Sequence, residues 1–191
     1  NNGLYTSSVA WGDYDSDGDI DLLVAGEDSA GARQLRIYKN NGNGTLDPAQ
    51  IEVDGANGGY YSAGVAWGDY DNDGDLDILG SGRTSPATRE LRVYRNNGNG
   101  TINGTQIDVD GPGLGLQEGS VAWGDFDIDG DLDVGAIGIS DVNKVQLRVY
   151  SNLTTTPNTT PTAPGTLAGG FSFVSAGVSY ASFTWNAGTD S

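Results

Sequence analysis

Nine residues, Asp13-Tyr14-Asp15-Ser16-Asp17-Gly18-Asp19-Ile20-Asp21, place a carboxylate at every odd position around one glycine. The arrangement returns as Asp69, Asp71, Asp73, Asp75 and Asp77, and again as Asp125, Asp127, Asp129, Asp131 and Asp133. Carboxylates at alternate positions, with a glycine that permits a sharp turn, can wrap oxygens around one hard cation. Calcium takes six to eight oxygens at about 2.3–2.6 Å in flexible geometry, whereas magnesium demands a rigid octahedron, so the loop suits calcium. By position, side-chain ligation falls to the first, third, fifth and ninth residues and a backbone carbonyl to the seventh. Asp13, Asp15, Asp17 and Asp21 then act with the Asp19 carbonyl, and Asp69, Asp71, Asp73 and Asp77 with that of Asp75. In the third loop Asp125, Asp127, Asp129 and Asp133 act with that of Asp131. The expected cofactor is three calcium ions, one per loop.

An EF-hand would require glutamate at the twelfth loop position, where Val24, Gly80 and Ala136 stand, and helices rather than strand formers on either side. Solvated acidic turns would account for one Asp-Gly pair, but not for five aspartates in nine residues three times over. Clustered carboxylates repel one another when the loop folds, and a divalent ion reverses that sign. Fifteen of the 26 acidic residues sit in these loops, and three dications would take the formal charge from −17 to −11.

The composition removes other functions. With 9 Lys and Arg against 26 Asp and Glu, the chain repels nucleic acid and anionic membranes at long range. It has no Cys and no His, which excludes disulfides, thiolate chemistry, ordinary zinc sites and histidine-dependent catalysis. No nucleophile–base pair stands out, and the expectation is a protein that is not an enzyme. There is no Met, no charged N-terminal region followed by an apolar stretch, and no apolar run near the roughly 20 residues that span a bilayer. The chain therefore reads as a soluble, processed or excised segment without membrane insertion.

The loops recur because the chain repeats. Val9-Ala10-Trp11-Gly12-Asp13-Tyr14-Asp15 returns at Val65–Asp71 and, with Phe126 for the tyrosine, at Val121–Asp127, a period of 56 residues. Each unit runs from an apolar stretch ending in Trp, through the acidic loop, to a second apolar stretch such as Ile20–Val24. A third segment follows, Leu35-Arg36-Ile37-Tyr38, Leu91-Arg92-Val93-Tyr94 or Leu147-Arg148-Val149-Tyr150. Strict alternation in that segment marks a half-buried strand, with Arg and Tyr on the polar face. Asn-Gly turns at Asn40–Thr45 and Asn96–Thr101 lead to short fourth strands, Gln50–Val53 and Gln106–Val109. The expected fold is all-β: three antiparallel four-stranded propeller-blade repeats spanning 1–56, 57–112 and 113–152, the last without its fourth strand.

The combination of W-G-D-Y-D-x-D-G-D-x-D with Y-x-N-N-G-N-G-T resembles the FG-GAP/VCBS repeat, the blade unit of integrin-α-type β-propellers and of many secreted bacterial proteins. The resemblance covers about residues 1–152. It implies a propeller with an acidic loop between the first and second strands of each blade and one calcium ion in each loop.

Other residues invite separate readings. Trp11, Trp67 and Trp123 recur at one place in every unit and are expected in the core rather than as sugar platforms. Arg36, Arg92 and Arg148 are expected on a solvated strand face, with pairing to a neighbouring blade as the alternative. Tyr5, Tyr60 and Tyr61 lie in Gly-rich approaches to a blade, where exposed aromatics can build a ligand surface. N-x-S/T sequons at Asn43, Asn99, Asn103, Asn152 and Asn158 are candidate glycosylation sites.

After Asn152 the pattern ends in a Thr/Pro tract over 153–164, which reads as an extended linker. Residues 165–191 alternate as two β-sandwich-like strands, similar to the opening of a fibronectin type III domain or to a strand-donating segment. Three blades do not readily close a ring, so uncovered edges are expected. Calcium sites of this kind fill where calcium is abundant, which points to a secreted or cell-surface protein. The functional expectation is a calcium-binding structural or adhesive scaffold with a protein or glycan ligand at the cell surface. The alternative is a filament subunit that binds copies of itself, and a remote third is a carbohydrate-binding accessory region of a secreted enzyme.

Overall fold

The computed structural model describes residues 3–55 and 58–153. The chain divides into two units, Asn1–Pro157 and Asn158–Ser191. The second unit, and with it the fibronectin-like reading and most of the Thr/Pro tract, lies outside the described residues.

Every described element is a strand. The first sheet holds β1 (Tyr5–Gly12), β2 (Asp21–Glu27), β3 (Arg33–Tyr38) and β4 (Ile51–Glu52) in the order β1-β2-β3-β4. The second repeats it with β5 (Tyr61–Gly68), β6 (Asp77–Arg83), β7 (Arg89–Tyr94) and β8 (Ile107–Asp108). The third has β9 (Gln117–Gly124), β10 (Asp133–Ile139) and β11 (Val145–Tyr150), and the described residues add no fourth strand to it. All pairings are antiparallel, and the register repeats: Gly12, Gly68 and Gly124 face Asp21, Asp77 and Asp133 across the first pair of strands. These are the three expected blades.

In the middle blade β6 and β7 are buried on both faces, whereas β11 of the third blade alternates exposed and partly buried residues. One face of the first blade carries Leu23, Ala25, Leu35 and Ile37, all at 0–1% exposure, packed against Tyr60, Val65 and Ile78 of the second. The second blade's Leu79, Leu91 and Val93 meet Leu116, Val121 and Val134 of the third in the same way. In the second blade the Arg/Tyr face expected to be solvated is covered by the first: Tyr94 is fully buried in the cluster they share, its hydroxyl 2.8 Å from that of Tyr60 and donating to Asp54 at 3.0 Å. Tyr60 is thus core rather than ligand surface. Tyr61 lies under the guanidinium groups of Arg33 and Arg83, and Tyr5 is exposed.

Two of the three arginines tie units together, the alternative to a solvated face. Arg92 pairs with Asp108 at 2.8 Å and reaches Asp54 of the preceding unit at 3.8 Å, and Arg148 pairs with Asp110 of the preceding unit at 2.7 Å. Arg36 pairs with Glu52 in its own sheet.

Tryptophan and glycine interlock at each contact. Trp67 lies over Gly12 and stacks on Tyr14 at 6.3 Å, and Trp123 lies over Gly68 beside Tyr70 at 5.9 Å. A Cβ on Gly12 would fall 2.7 Å from Trp67 Cδ1, and one on Gly68 2.5 Å from Trp123 Cδ1. Trp11 is the exception to the core expectation, at 63% exposure, because no described blade precedes it. Gly68→Ala is expected to destabilise the protein by about 1–3 kcal/mol, the usual cost of overpacking, while Gly124→Ala, whose Cβ meets nothing within 4 Å, leaves the thermal midpoint unchanged. Thermal unfolding of the two variants side by side checks this.

Candidate metal centres in the β1–β2, β5–β6 and β9–β10 loops

Each acidic loop is shaped by its own first residue. Asp13 accepts from the Asp17 N–H at 3.1 Å through one oxygen and from the Gly18 N–H at 2.9 Å through the other. Asp69 does the same with Asp73 and Gly74, and Asp125 with Asp129 and Gly130. Asp17, Asp73 and Asp129 in turn accept from the N–H two residues ahead. The turn needs left-handed backbone at its fourth and sixth positions. Glycine takes the sixth, at φ near +92° in Gly18, and Ser16, Asn72 and Ile128 take the fourth. For β-branched Ile128, at φ +64°, that conformation is a strain that neither sibling shares to the same degree.

The last aspartate ties the loop to the rest of the blade. Asp21 accepts from the Tyr14 N–H at 3.1 Å and from the Asn40 N–H at 2.7 Å. Asp77 accepts from Tyr70 and Asn96, and Asp133 from Phe126 and Asn152. All three are buried.

Carboxylate oxygens of Asp13, Asp15 and Asp17 lie within 4.8 Å of one another, as do those of Asp69, Asp71 and Asp77 and of Asp125, Asp127 and Asp133. The structure therefore draws the first and third aspartates together in every loop, with the fifth in one and the ninth in two. Asp21, Asp73 and Asp129 are not among these groups. The side chains of the seventh residues turn elsewhere. Asp19 and Asp75 lie against the Asn-Gly turns, their Oδ2 atoms where a Cβ on Gly42 or Gly98 would be. Asp131 accepts from Asn72 Nδ2 of the preceding blade at 2.7 Å.

Two cations and two orphaned atoms complete the picture. Lys39 pairs with Asp15, and with Asp17 at 3.0 Å, while Arg95, one period later, pairs with Asp71 at 3.4 Å. The next equivalent is Ser151. Asp15 Oδ1 and Asp71 Oδ1 are buried acceptors without a hydrogen-bond partner. A hard divalent ion would satisfy them, so the donor set fits calcium.

The sequence reading takes Asn96 for part of a turn and Asn152 for a glycosylation candidate, and misses that both hold neighbouring units together. Asn96 Nδ2 donates to the Tyr14 carbonyl at 2.7 Å, and Asn152 Nδ2 to the Tyr70 carbonyl at the same distance, stapling each loop to the blade that follows. Their repetition at period 56 was the visible signal. Asn152, one of the candidate glycosylation sites, is 5% exposed. Asn43 and Asn99 are exposed in their turns, where each side-chain oxygen accepts from the threonine two residues on, and Asn103 also sits in a turn. Asn158 lies outside the described residues.

Burial, countered by the N–H groups of Asn96 and Tyr70, pushes the Asp77 carboxyl from 3.8 up to about 7, with Asp71 and Asp73 adding to the rise. Burial also raises Asp21 and Asp71, whereas the Asp19 N–H and then Lys39 hold Asp17 low. An acid whose folded pKa is raised binds more protons folded than unfolded, so its stabilisation is full below the unfolded value and fades as pH rises through the folded one. In chelator the melting temperature is expected to fall between about pH 4 and pH 7 from this group, and Asp77→Asn flattens that slope. Melting curves across that range, with and without the substitution, provide the check.

Among curated proteins no match to the chain is found. Residues 13–80, from the first acidic loop through the second and into β6, match the family model of the FG-GAP-like repeat. That match spans the first two acidic loops of a three-bladed antiparallel β-repeat, and over residues 13–80 the chain is similar to the FG-GAP-like repeat.

Proposed function

We propose that the chain is a calcium-binding β-blade module serving as a structural or adhesive scaffold in a secreted or cell-surface protein. One observation carries the reading: three loops of one design gather carboxylates within 4.8 Å, and in two of them a buried aspartate oxygen has no partner. Asp13, Asp15, Asp17 and Asp21, with the corresponding residues of the other loops, would hold the ion. The ion would supply the positive charge that lets the loop close. Extracellular calcium modules work at about 10⁻⁴–10⁻³ M, a range that supports an extracellular setting. A protein or glycan ligand fits a scaffold of this kind, and catalysis has no support from the residue types present.

Saturating calcium is expected to raise the melting temperature and excess chelator to lower it. A melting curve identical in calcium and in chelator would sink the proposal.

The three loops are not equal. Lys39 and Arg95 place a tethered cation where an ion would sit, and Ser151 does not. Unit charges at 4 Å in water interact by about 1 kcal/mol, doubled for a dication, so the third loop is expected to bind calcium tightest and the first to gain roughly thirtyfold from Lys39→Ser. Calorimetric titration of the wild type, Lys39→Ser and Ser151→Lys reads the order. Unchanged isotherms in both variants would show that the tethered cations do not tune the sites.

A further inference from the structure

The acidic loops lie at one end of the strands, and most of the unpaired positive charge lies at the other. Asp77 begins β6 and Arg83 ends it, about 20 Å apart at a rise of about 3.3 Å per residue. Of the nine lysines and arginines, Arg36, Lys39, Arg92, Arg95 and Arg148 each have a carboxylate within 4.0 Å. Among the described residues Arg33, Arg83, Arg89 and Lys144 have none.

The three arginines stand together. Arg83 lies directly opposite Arg89 in β7 and Tyr61 in β5, so the three residues form one row across the middle sheet. Arg33, the first residue of β3, reaches the same ring from the preceding blade: its Cζ lies 5.6 Å from the centre of the Tyr61 ring, and that of Arg83 lies 5.1 Å from it. The corresponding rows are Tyr5, Glu27 and Arg33 in the first blade and Gln117, Ile139 and Val145 in the third. Of the three described blades, the middle one alone sets two cations face to face.

That row costs stability as it stands. Like charges directly opposite one another on paired strands repel. Arg89 is 8% exposed, and a charge so far removed from water is ordinarily paired with an opposite one. Its guanidinium meets a neutral acceptor instead, Asn143 Oδ1 at 3.4 Å. The Nε–H groups of Arg92 and Arg148 donate at 2.8 Å to Asp108 and Gln146, whereas those of Arg33, Arg83 and Arg89 are buried and have no acceptor.

We propose that Arg33, Arg83 and Arg89, with Tyr61 between the first two, form a site for a tetrahedral oxyanion of the sulfate or phosphate type. Negative charge placed among the three guanidinium groups turns the repulsion between Arg83 and Arg89 into attraction toward a shared partner. The donors come from three strands of two blades, and a tetrahedral group offers oxygens in several directions, whereas a planar carboxylate matches a single guanidinium fork. Tyr61 is a positioning residue, its ring holding the guanidinium groups of Arg33 and Arg83. The chain's formal charge of −17 repels anions at long range, so the group is held by these short contacts. The site uses no residue of the acidic loops and does not depend on the calcium reading.

The test titrates the full chain, in saturating calcium, with sodium sulfate while sodium chloride holds the ionic strength constant. Sulfate is expected to shift the Nε–H resonances of Arg33, Arg83 and Arg89 along one saturating curve, with those of Arg92 and Arg148 unmoved. The thermal midpoint rises along the same curve, whereas the general stabilisation by an excluded salt does not saturate and is alike in every variant. Arg33→Gln and Arg83→Gln, on different strands so that either can report if the other fails to fold, are each expected to weaken binding about tenfold, the usual loss for one charge-assisted hydrogen bond. Lys144→Gln, which removes the unpaired cation outside the row, leaves binding unchanged. A sulfated monosaccharide titrated in the same way separates the sources: tighter binding than sulfate upholds the site as one for an ester on a sugar, and equal binding upholds it as one for the free ion. Shifts that do not saturate, or a sulfate response kept in full by the folded arginine variants, overturn the proposal.

Discussion

A blade of this protein has no side that can face water without loss. The middle sheet alternates two sets of side chains, one meeting the blade before it and one the blade after, and burying a single leucine or isoleucine side chain is worth about 1.5–3 kcal/mol. No sheet here can be stable alone, so stacking is the constraint from which the other features follow. Gly12 and Gly68 are glycine because the next tryptophan lies where a side chain would go. Arg92 and Arg148 pair with aspartates of the preceding unit because their face is covered by a neighbour.

Stacking also determines how the acidic loops are held. Asp21, Asp77 and Asp133 sit at the mouths of the second strands, within the core, and take two backbone N–H groups each, one from the loop and one from the segment after the third strand. The same segment's asparagine reaches back to the loop of the previous blade. A loop that gathers negative charge is therefore clamped from its own sheet and from the next. Without a counter-charge the clamp works against the repulsion of its own carboxylates, and Lys39 and Arg95 are partial answers already present in two of the loops.

The sequence was most readable where one unit restates another. The 56-residue period, the acidic loops between first and second strands, the Asn-Gly turns and the short fourth strands all stand where the repeat puts them. It was least readable where the surroundings of a residue depend on the unit beside it. Trp11 and Trp67 are identical in local sequence, yet one is exposed and the other covers Gly12. Alternation in Leu91-Arg92-Val93-Tyr94 suggested one wet face, but period 2 marks only that two faces differ, and here the neighbour wets neither. Tyr60, in a glycine-rich stretch that looks like a loop, is core because the preceding blade closes over it.

The staple at Asn152 has a consequence during synthesis. Asn152-Leu153-Thr154 is a glycan acceptor sequence, but in the folded chain its amide nitrogen donates to the carbonyls of Tyr70 and Leu132. A transferase acting on a nascent chain meets that asparagine before the third blade has docked. In a glycosylating host, a sugar added in that interval would occupy the atom that closes the second loop against the third blade, and the race between folding and modification would decide whether the molecule finishes assembling. The sites at Asn43 and Asn99, exposed in their turns, impose no such race.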